Sequence, residues 1–447
     1  MEQRNKMLAN EKISTLLYKL SLPAIIGMLV NALYNIVDGI FVGRSVGELG
    51  LSGLTVAFPI QLVVMAFSLL IGIGSASCVS RALGEKNIEK ANHVAGNSIL
   101  SIGIISLILV IIGFSFTKPL LLMYGATSDS LPYAMDYIRI ILIGTIYFPF
   151  VMTTNNLIRA EGNAKASMII MVIGTGFNLI LDPIFIYVFG LGIKGAAIAT
   201  IISQFASFIY IIRYYMTGNS TLKIKVHHYN PDLHILWEIF TVGFGSFARN
   251  IAGTIVAIVL NNSLKLYGGD TAIATYAVIN RVLMFILMPL FGVVQGMQPI
   301  AGFNYGAKNY KRVKESLKLS MIVSTIIATV GTTIVFIIPK YIIMLFEKEA
   351  TNLSSETLAL RVVLIAIPVV GIQIVGSTLF QALGKAIPSL VLSLLRQVIL
   401  LIPLLLILPP LFENKLLAIW ISFPISDFLS TVITIILLKN QVKALSD

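Results

Sequence analysis

The sequence predicts an all-α membrane protein in which twelve transmembrane helices form two repeats of six. The first reason is composition, because 57% of the 447 residues are hydrophobic and only 12% are charged, about half the charged fraction of an ordinary soluble domain. The second reason is that the apolar residues form continuous runs long enough to cross a bilayer, which favours helices over a closed barrel. The third reason is an internal repeat in the sequence.

The apolar runs divide evenly between the two halves of the chain. In the first half they begin near Ser14, Gly53, Ala95, Tyr133, Ala166 and Gly195. In the second half they begin near Ile235, Ala272, Leu319, Leu358, Ile387 and Lys415. We therefore predict an N-terminal six-helix lobe over residues 1–216, a polar linker over 217–234 and a C-terminal six-helix lobe over 235–447.

The two halves match each other at one constant offset in residue number, without a gap. Two separate regions that agree in this way are hard to obtain by chance, and such repeats are frequent in large helical membrane proteins. Because each repeat has an even number of helices, both repeats begin on the same side of the membrane. The matched pairs are Gly74 with Gly296, Gly84 with Gly306, Asn87 with Asn309 and Ala160 with Ala382.

The distribution of basic residues predicts how the chain is oriented. With the N-terminus inside, 20 Lys and Arg lie in inner segments and 8 in outer segments, and basic residues are enriched on the cytoplasmic side. The net charge of +12 is thus explained by loops and not by a nucleic-acid partner. Residues 1–12 lack the pattern of a signal peptide. We expect a multi-pass protein of a bacterial or archaeal cell (inner) membrane with a cytoplasmic linker and both termini cytoplasmic.

Four polar residues share one face of the first predicted helix. Asn31, Tyr34, Asn35 and Asp38 have the spacing i, i+3, i+4, i+7, which places them in one stripe. An ionisable group within the bilayer is costly and needs a polar environment. This face is therefore predicted to line water or other polar groups.

A second intramembrane carboxylate, Asp182, follows Asn178 by one helical turn and precedes Pro183. Proline removes a backbone donor and frees a carbonyl one turn back. Counting from the helix ends places Asp182, Thr200 and Asp38 at a similar depth near the outer side. Two carboxylates, an amide and a hydroxyl can bind Na⁺ through oxygen ligands or share a proton. The alternative is that both Asp are structural and hydrogen-bond across helices, but their convergence favours a coupling site.

Polar groups in the second half indicate a site less clearly. Gln295 and Gln298 are candidates for lining a substrate cavity with the first-helix stripe, although isolated amides often only bridge helices. Arg396 with Asp427 is interpreted as a structural ion pair or a helix-end anchor, and we favour a structural role over a functional one. The single Cys excludes a disulfide within the chain, and all four His fall in polar connecting stretches. We accordingly expect no haem and no buried His–metal site.

Several short motifs occur along the chain in a specific order. They are Leu22-Pro23, Asp38-Gly39, Val42-Gly43, Arg81-Ala-Leu-Gly84, Asn178 with Asp182-Pro183, and Gln298-Pro299 with Asn304-Tyr-Gly306. In this order the chain resembles the MATE (multidrug and toxic compound extrusion) transporters over essentially its whole length, and it is most similar to the prokaryotic branch whose cation site lies in the N-terminal lobe. The resemblance implies a V-shaped transporter with Asp38, Asn178, Asp182 and Thr200 as cation-site residues and Tyr34 beside them. Another branch has acidic residues in helices seven and ten, but residues 243–262 and 362–381 contain none, so we expect no second site there.

The resemblance implies secondary active export of small organic, often cationic, compounds in antiport with Na⁺ or H⁺, by alternating access, from a functional monomer in membrane lipids. No Walker-type phosphate loop and no convincing nucleophile or metal-ligand set occurs, so we expect neither an enzyme nor a cofactor beyond the coupling ion. The alternative is a flippase for a lipid-linked oligosaccharide from the same superfamily, which the carboxylates disfavour and Arg249 and Arg281 favour. A passive channel is disfavoured because duplicated lobes suit rocking.

Overall fold

The computed structural model describes residues 2–346 and 353–445, and all regular secondary structure in those ranges is helical. Ten helices are long and apolar enough to cross a membrane, and one bent pair supplies an eleventh span. The longest helix, Leu233–Gly306, would extend about 110 Å as a single rod, which is several times the thickness of the hydrocarbon core. It is broken at Gly269 and therefore counts as two spans. The described ranges thus contain the twelve predicted membrane helices.

The first six membrane helices form the N-lobe. The fourth consists of two segments that meet at an angle of 48°, with Pro149 in the first turn of the second segment. The fifth ends in a wider π-helical turn, Ile184–Val188. In chain order the spans are Ile13–Gly47, Leu49–Gly84, Ile88–Met123, Leu131–Gly144 with Phe148–Ala160, Ala164–Val188 and Gly192–Met216.

The last six membrane helices form the C-lobe. A short helix, Pro339–Phe346, follows the ninth span, and a π-helical turn, Leu395–Leu401, interrupts the eleventh. The spans are the two arms of Leu233–Gly306, then Tyr310–Ile337, Leu353–Ala382, Ala386–Leu411 and Lys415–Ala444.

The backbone reproduces the predicted repeat in detail. Gly47 has φ 68° and ψ −161°, and Gly269, its partner at the offset of the sequence repeat, has φ 65° and ψ −160°. This region of backbone space is essentially restricted to glycine, so both glycines are required where the first helix of each lobe turns into the second. Lys86 and Lys308, related by the same offset, share a left-handed φ of 59° and 57°. The two lobes are therefore copies of one backbone design.

The lobes meet where the second and eighth membrane helices end. A Cβ atom added to Gly84 would lie 1.9 Å from the carbonyl oxygen of Phe303, and one added to Gly306 would lie 2.1 Å from that of Arg81. Phe303 is the repeat equivalent of Arg81, so the two contacts are related by the same pseudo-symmetry. The Ser77 hydroxyl adds a hydrogen bond to the Gln381 carbonyl oxygen at 2.5 Å. We call this side of the molecule the closed end.

Toward the opposite side, glycines of the first and seventh membrane helices lack close neighbours. A Cβ atom added to Gly39, Gly43 or Gly47 on the first helix would have no atom within 4 Å among the described residues. The same holds for Gly253 and Gly269 on the seventh helix. No described side chain or neighbouring helix packs against these five glycines at the Gly47/Gly269 side, which we call the open end.

An N-terminal helix, Glu2–Asn10, lies across the closed end and contacts both lobes. On the N-lobe side Arg4 donates to the Tyr214 hydroxyl at 3.1 Å and to a linker carbonyl, that of Asn219, at 2.8 Å. On the C-lobe side Arg312 donates to the carbonyl oxygens of Leu8 at 3.2 Å and Glu11 at 2.7 Å. The helix therefore bridges the two lobes.

Candidate functional site

The candidate site begins with Asp182, which lies where the fifth membrane helix changes from α to π geometry. Pro183 has no backbone N–H, so the carbonyl of Leu179 loses its usual helical donor. The next turn is π-helical, and the Phe189 N–H bonds to the Ile184 carbonyl at 3.0 Å. Such π turns are frequent at functional sites. The sequence thus widens the helix directly beside a fully buried carboxyl group.

Asn178 connects Asp182 to the first membrane helix. Its side-chain nitrogen donates to Asp182 Oδ2 at 3.4 Å, one turn along the same helix. The same nitrogen donates to the hydroxyl of Tyr34 on the first helix. The predicted i, i+4 pair and the predicted first-helix stripe therefore meet at a single amide.

The carboxyl group of Asp38 completes this group of residues. It lies within hydrogen-bonding reach of the Asp182 carboxyl group, an arrangement that is favourable only when a proton or a cation lies between two carboxylates. Among the described residues, one oxygen of each, Asp38 Oδ1 and Asp182 Oδ1, is buried without a hydrogen-bond donor. Buried acceptors normally have a partner. These two oxygens are consequently free to accept a proton or to coordinate a cation.

Sequence reasoning missed three further side chains around the carboxyl pair. The Tyr137 hydroxyl, on the fourth membrane helix, interacts electrostatically with both Asp38 and Asp182, and Gln61 on the second helix donates to it at 3.4 Å. Ser203 on the sixth helix lies 3.4 Å from Asn178 Oδ1. Gln61 could have been identified from the sequence, because it is an amide inside an apolar run. Five of the six N-lobe helices therefore contribute to this polar group.

The remaining first-lobe predictions lie around this centre. Thr200 is three residues before Ser203 on the sixth helix and donates its hydroxyl to the Ala196 carbonyl at 2.9 Å, which leaves its oxygen lone pairs available. Asn31 is half-buried one turn before Tyr34. The side chain of Asn35 lies outside the described part of the structure.

The structure places Gln295 and Gln298 elsewhere, in the contact between the lobes. Gln295 Oε1 accepts a hydrogen bond of 2.6 Å from the buried guanidinium of Arg159, at the end of the fourth membrane helix. Gln298 lines a small pocket with Ala76, Asn156 and Arg159. The residues predicted to line one cavity thus belong to two places, one at the carboxyl pair and one near the closed end.

The charged residues of the C-lobe form a separate cluster. Arg396, in the π-helical turn of the eleventh membrane helix, pairs with the buried Asp427 at 3.1 Å. Ser426 also donates to the Arg396 carbonyl at 2.5 Å, and Arg249 is within electrostatic range of Arg396. Removing one partner of such a pair would leave an uncompensated buried charge, which is strongly destabilising. This agrees with the interpretation of Arg396 and Asp427 as a structural ion pair.

Two six-helix repeats that contact each other at one end are the architecture of a membrane transporter. The chain belongs to the MatE family, whose family model matches residues 23–184 and 245–407. The two matched segments begin at the same offset from each other as Gly74 and Gly296 of the internal repeat. The family predicted from the order of the motifs is confirmed.

Characterised relatives and solved structures agree with this family. The multidrug export protein MepA of Staphylococcus haemolyticus (strain JCSC1435) is 30% identical over 392 residues, covering 88% of this chain and 86% of the relative. MepA of Staphylococcus aureus (strain NCTC 8325 / PS 47) is 28% identical with the same coverage. A multidrug resistance MATE family transporter in an outward-facing conformation matches with a TM-score of 0.94 at 26% identity over 98% of both chains. A MOP superfamily transporter from Pyrococcus furiosus has a TM-score of 0.94 at 25% identity, covering 99% of this chain and 98% of that one.

Proposed function

We propose that this protein is a secondary active multidrug exporter that exchanges small organic compounds, often cationic ones, for Na⁺ or H⁺ by alternating access. The observation that carries the proposal is the pair of carboxyl groups of Asp38 and Asp182, each with a buried oxygen that lacks a donor. Multidrug exporters similar to this chain, including MepA, support small organic molecules as the substrates. The proposed location is the cell membrane, with both termini cytoplasmic and a monomer as the working unit.

The carboxyl pair suits either coupling ion. Carboxylate, amide carbonyl and hydroxyl oxygens are the ligands that hard cations prefer, and Asp38, Asp182, Asn178 and Thr200 supply all three types. Alternatively, one proton can be shared between the two carboxyl groups. In either case the ion removes a net negative charge from the N-lobe, and this lowers the attraction for a cationic substrate.

The proposed orientation makes the described conformation outward-open. The closed end carries most of the basic residues in the loops, including Lys86 and Lys308, and the positive-inside rule assigns that end to the cytoplasm. The open end then faces outside, where the coupling ion enters. Similarity to the outward-facing MATE structure supports the same assignment.

Coupling follows from differential affinity. A ligand shifts a two-state equilibrium only as far as its affinities for the two states differ. We infer that the ion binds more tightly to the state in which Asp38 and Asp182 are in contact, and that the substrate binds more tightly to the state in which they are ion-free. Ion entry from outside and substrate loading from the cytoplasm then alternate.

The direct test is efflux of a fluorescent organic cation from proteoliposomes with an imposed Na⁺ gradient or an imposed pH gradient. Efflux that responds to one gradient establishes antiport and identifies the coupling ion. If neither gradient drives efflux while a lipid-linked oligosaccharide is translocated, the protein is a flippase and the exporter proposal fails.

Arg81 and Glu238 form an ion pair across the closed end, and weakening it should favour opening. Arg81 Nη1 and Glu238 Oε1 are 2.7 Å apart, and the two side chains are 12% and 23% exposed. Glu238→Gln should destabilise the contact between the lobes at the closed end by about 1–2 kcal/mol, because the ion pair is only partly exposed to solvent. The only cysteine, Cys78, is 3.4 Å from Arg81 Nη2 and almost fully buried. We expect labelling of Cys78 by a maleimide to be roughly 5–30 times faster in Glu238→Gln.

The matched control is Glu85→Gln, which removes a pair with Lys90 at 3.4 Å on the same side of the molecule but within one lobe. Its labelling rate should equal that of the wild type. Equal rates in all three proteins would show that the Arg81–Glu238 pair does not hold the lobes together.

A further inference from the structure

Three of the four histidines meet where the linker between the lobes contacts the third membrane helix. His227 and His228 lie in its short 3₁₀ turn, Val226–Tyr229, and they face Glu89 and His93 at the start of the third membrane helix. One side-chain nitrogen or oxygen from each of these four residues lies within 4.8 Å of all the others. Sequence reasoning anticipated no such cluster, because its two parts lie far apart along the chain.

The linker is held against the third helix by hydrogen bonds between the Asn97 side chain and the linker main chain, so the positions of these side chains are defined. Asn97 Nδ2 donates to the carbonyl oxygens of His228 at 3.2 Å and Asn230 at 3.1 Å, and Asn97 Oδ1 accepts from the Asp232 N–H at 2.9 Å. A Cβ atom added to Gly96 would lie only 2.3 Å from the His228 carbonyl oxygen. This close approach of helix and linker preorganises the cluster.

The tautomer of His228 follows from its partners. The backbone N–H of Lys225 donates to His228 Nδ1 at 2.8 Å, so this nitrogen is an acceptor and the proton of the neutral ring lies on Nε2. His228 Nε2 is 2.9 Å from Glu89 Oε1 and therefore donates to it. His228 is 1% exposed. It acts as a positioning residue that orients the Glu89 carboxylate, as outer-shell groups do around metal ligands.

Three ligand atoms then remain that can face a metal ion. Glu89 Oε1 is 3.0 Å from His227 Nε2 and 3.6 Å from His93 Nε2. Ligands of a tetrahedral zinc ion, at about 2.0–2.1 Å from the metal, are roughly 3.4 Å apart. These two separations are close to that spacing, and the ligand atoms of His93 and His227 lie within 4.8 Å of each other. Two imidazoles with one carboxylate favour Zn²⁺ or a similar transition metal over Mg²⁺ or Ca²⁺, which prefer oxygen ligands alone.

We propose that Glu89, His93 and His227 bind a divalent transition metal ion of the Zn²⁺ type, with water in the fourth position. The site ties the linker to the third membrane helix. Because the linker leads directly into the seventh helix, the bound metal restrains the start of the C-lobe. This proposal is independent of the transported substrate and of the coupling ion.

The test is metal binding to the full-length detergent-solubilised protein, after removal of any polyhistidine tag. Calorimetry with Zn²⁺ should give one site per chain, and Co²⁺ should give the visible absorption of a tetrahedral complex. His93→Ala and His227→Ala should each weaken Zn²⁺ binding at least about 10-fold, and His228→Gln should weaken it roughly 10- to 100-fold as an outer-shell change. His234→Ala is the matched control, because this exposed histidine lies outside the cluster.

The Co²⁺ spectrum of the wild-type protein tests whether the metal site exists, even where a variant fails to fold. The proposal is overturned if the wild type gives no tetrahedral Co²⁺ spectrum and no saturable Zn²⁺ binding. It is also overturned if folded His93→Ala and His227→Ala bind Zn²⁺ as tightly as His234→Ala. The cluster would then be a hydrogen-bonded contact of the linker only.

Discussion

Asp38→Asn is expected to reduce ion-driven export to background while the protein remains folded in the membrane. Asparagine has nearly the same volume as aspartate, so the helix and its packing are preserved. It cannot take up a proton or neutralise a cation beside Asp182, and the ion loses its preference for one state. Moving a two-state equilibrium from about 1:10 to 10:1 requires a differential affinity on the order of 100-fold. We expect a loss of export rate of that size, measured as dye efflux from proteoliposomes.

Asp136→Asn is the control for this substitution. Asp136 is also in the N-lobe, but it is 44% exposed and paired with Lys194 at 3.1 Å, so its replacement should leave export near the wild-type rate. Asp182→Asn should resemble Asp38→Asn, because both carboxyl groups belong to one site. Full export by Asp38→Asn under both gradients would remove the carboxyl pair from the mechanism.

Gly84→Ala should have an effect of similar size through a different cause. The new methyl group would lie 1.9 Å from the Phe303 carbonyl oxygen, a backbone atom that cannot move aside as a side chain can. Overpacking typically costs about 1–3 kcal/mol, and a clash with backbone belongs at or above the upper end. The closed end should therefore open, Cys78 should react rapidly with a maleimide, and export should fall at least 10-fold.

Two further glycines make this prediction specific. Gly306→Ala places its methyl group 2.1 Å from the Arg81 carbonyl oxygen and should reproduce the defect, because the pseudo-symmetry relates the two contacts. Gly253→Ala adds the same methyl group where no described atom lies within 4 Å and should export normally. If Gly84→Ala behaves like Gly253→Ala, the close approach of the lobes is not required for transport.

The architecture was predictable because the sequence contains two copies of the same six-helix repeat. The constant offset between the halves came from a few matched glycines and asparagines, and the backbone follows it closely, down to the unusual angles of Gly47 and Gly269. Hydrophobic runs locate spans well, because the bilayer fixes their minimum length. Breaks such as the one between the two segments of the fourth helix depend on local backbone geometry, which hydropathy does not report.

The candidate site was predictable where its residues share one helix. Asn178 with Asp182, and Tyr34 with Asp38, follow from helical periodicity alone. Tyr137 and Ser203 come from other helices, and their contribution depends on how each helix is rotated about its axis. Counting residues from a helix end gives the depth of a residue in the membrane but not the direction in which its side chain points. For the same reason Gln295 was grouped with the first-helix stripe, although it bonds to Arg159. The histidine cluster depends on linker docking, which no local pattern encodes.

The N-terminal helix that crosses the closed end should tolerate substitution very unevenly. Arg312 reaches it through the carbonyl oxygens of Leu8 and Glu11, and these acceptors are present whatever side chain the two positions carry. The guanidinium also lies at the C-terminal end of the helix, where a positive charge is favourable. In a saturation mutagenesis scan scored by cell survival in the presence of drug, most substitutions at Glu11 should therefore be tolerated, because the carbonyl acceptor is kept. Most substitutions at Arg312 should be selected against. On the C-lobe side, the residue that holds this helix in place is therefore Arg312 of the C-lobe and not a side chain of the helix itself.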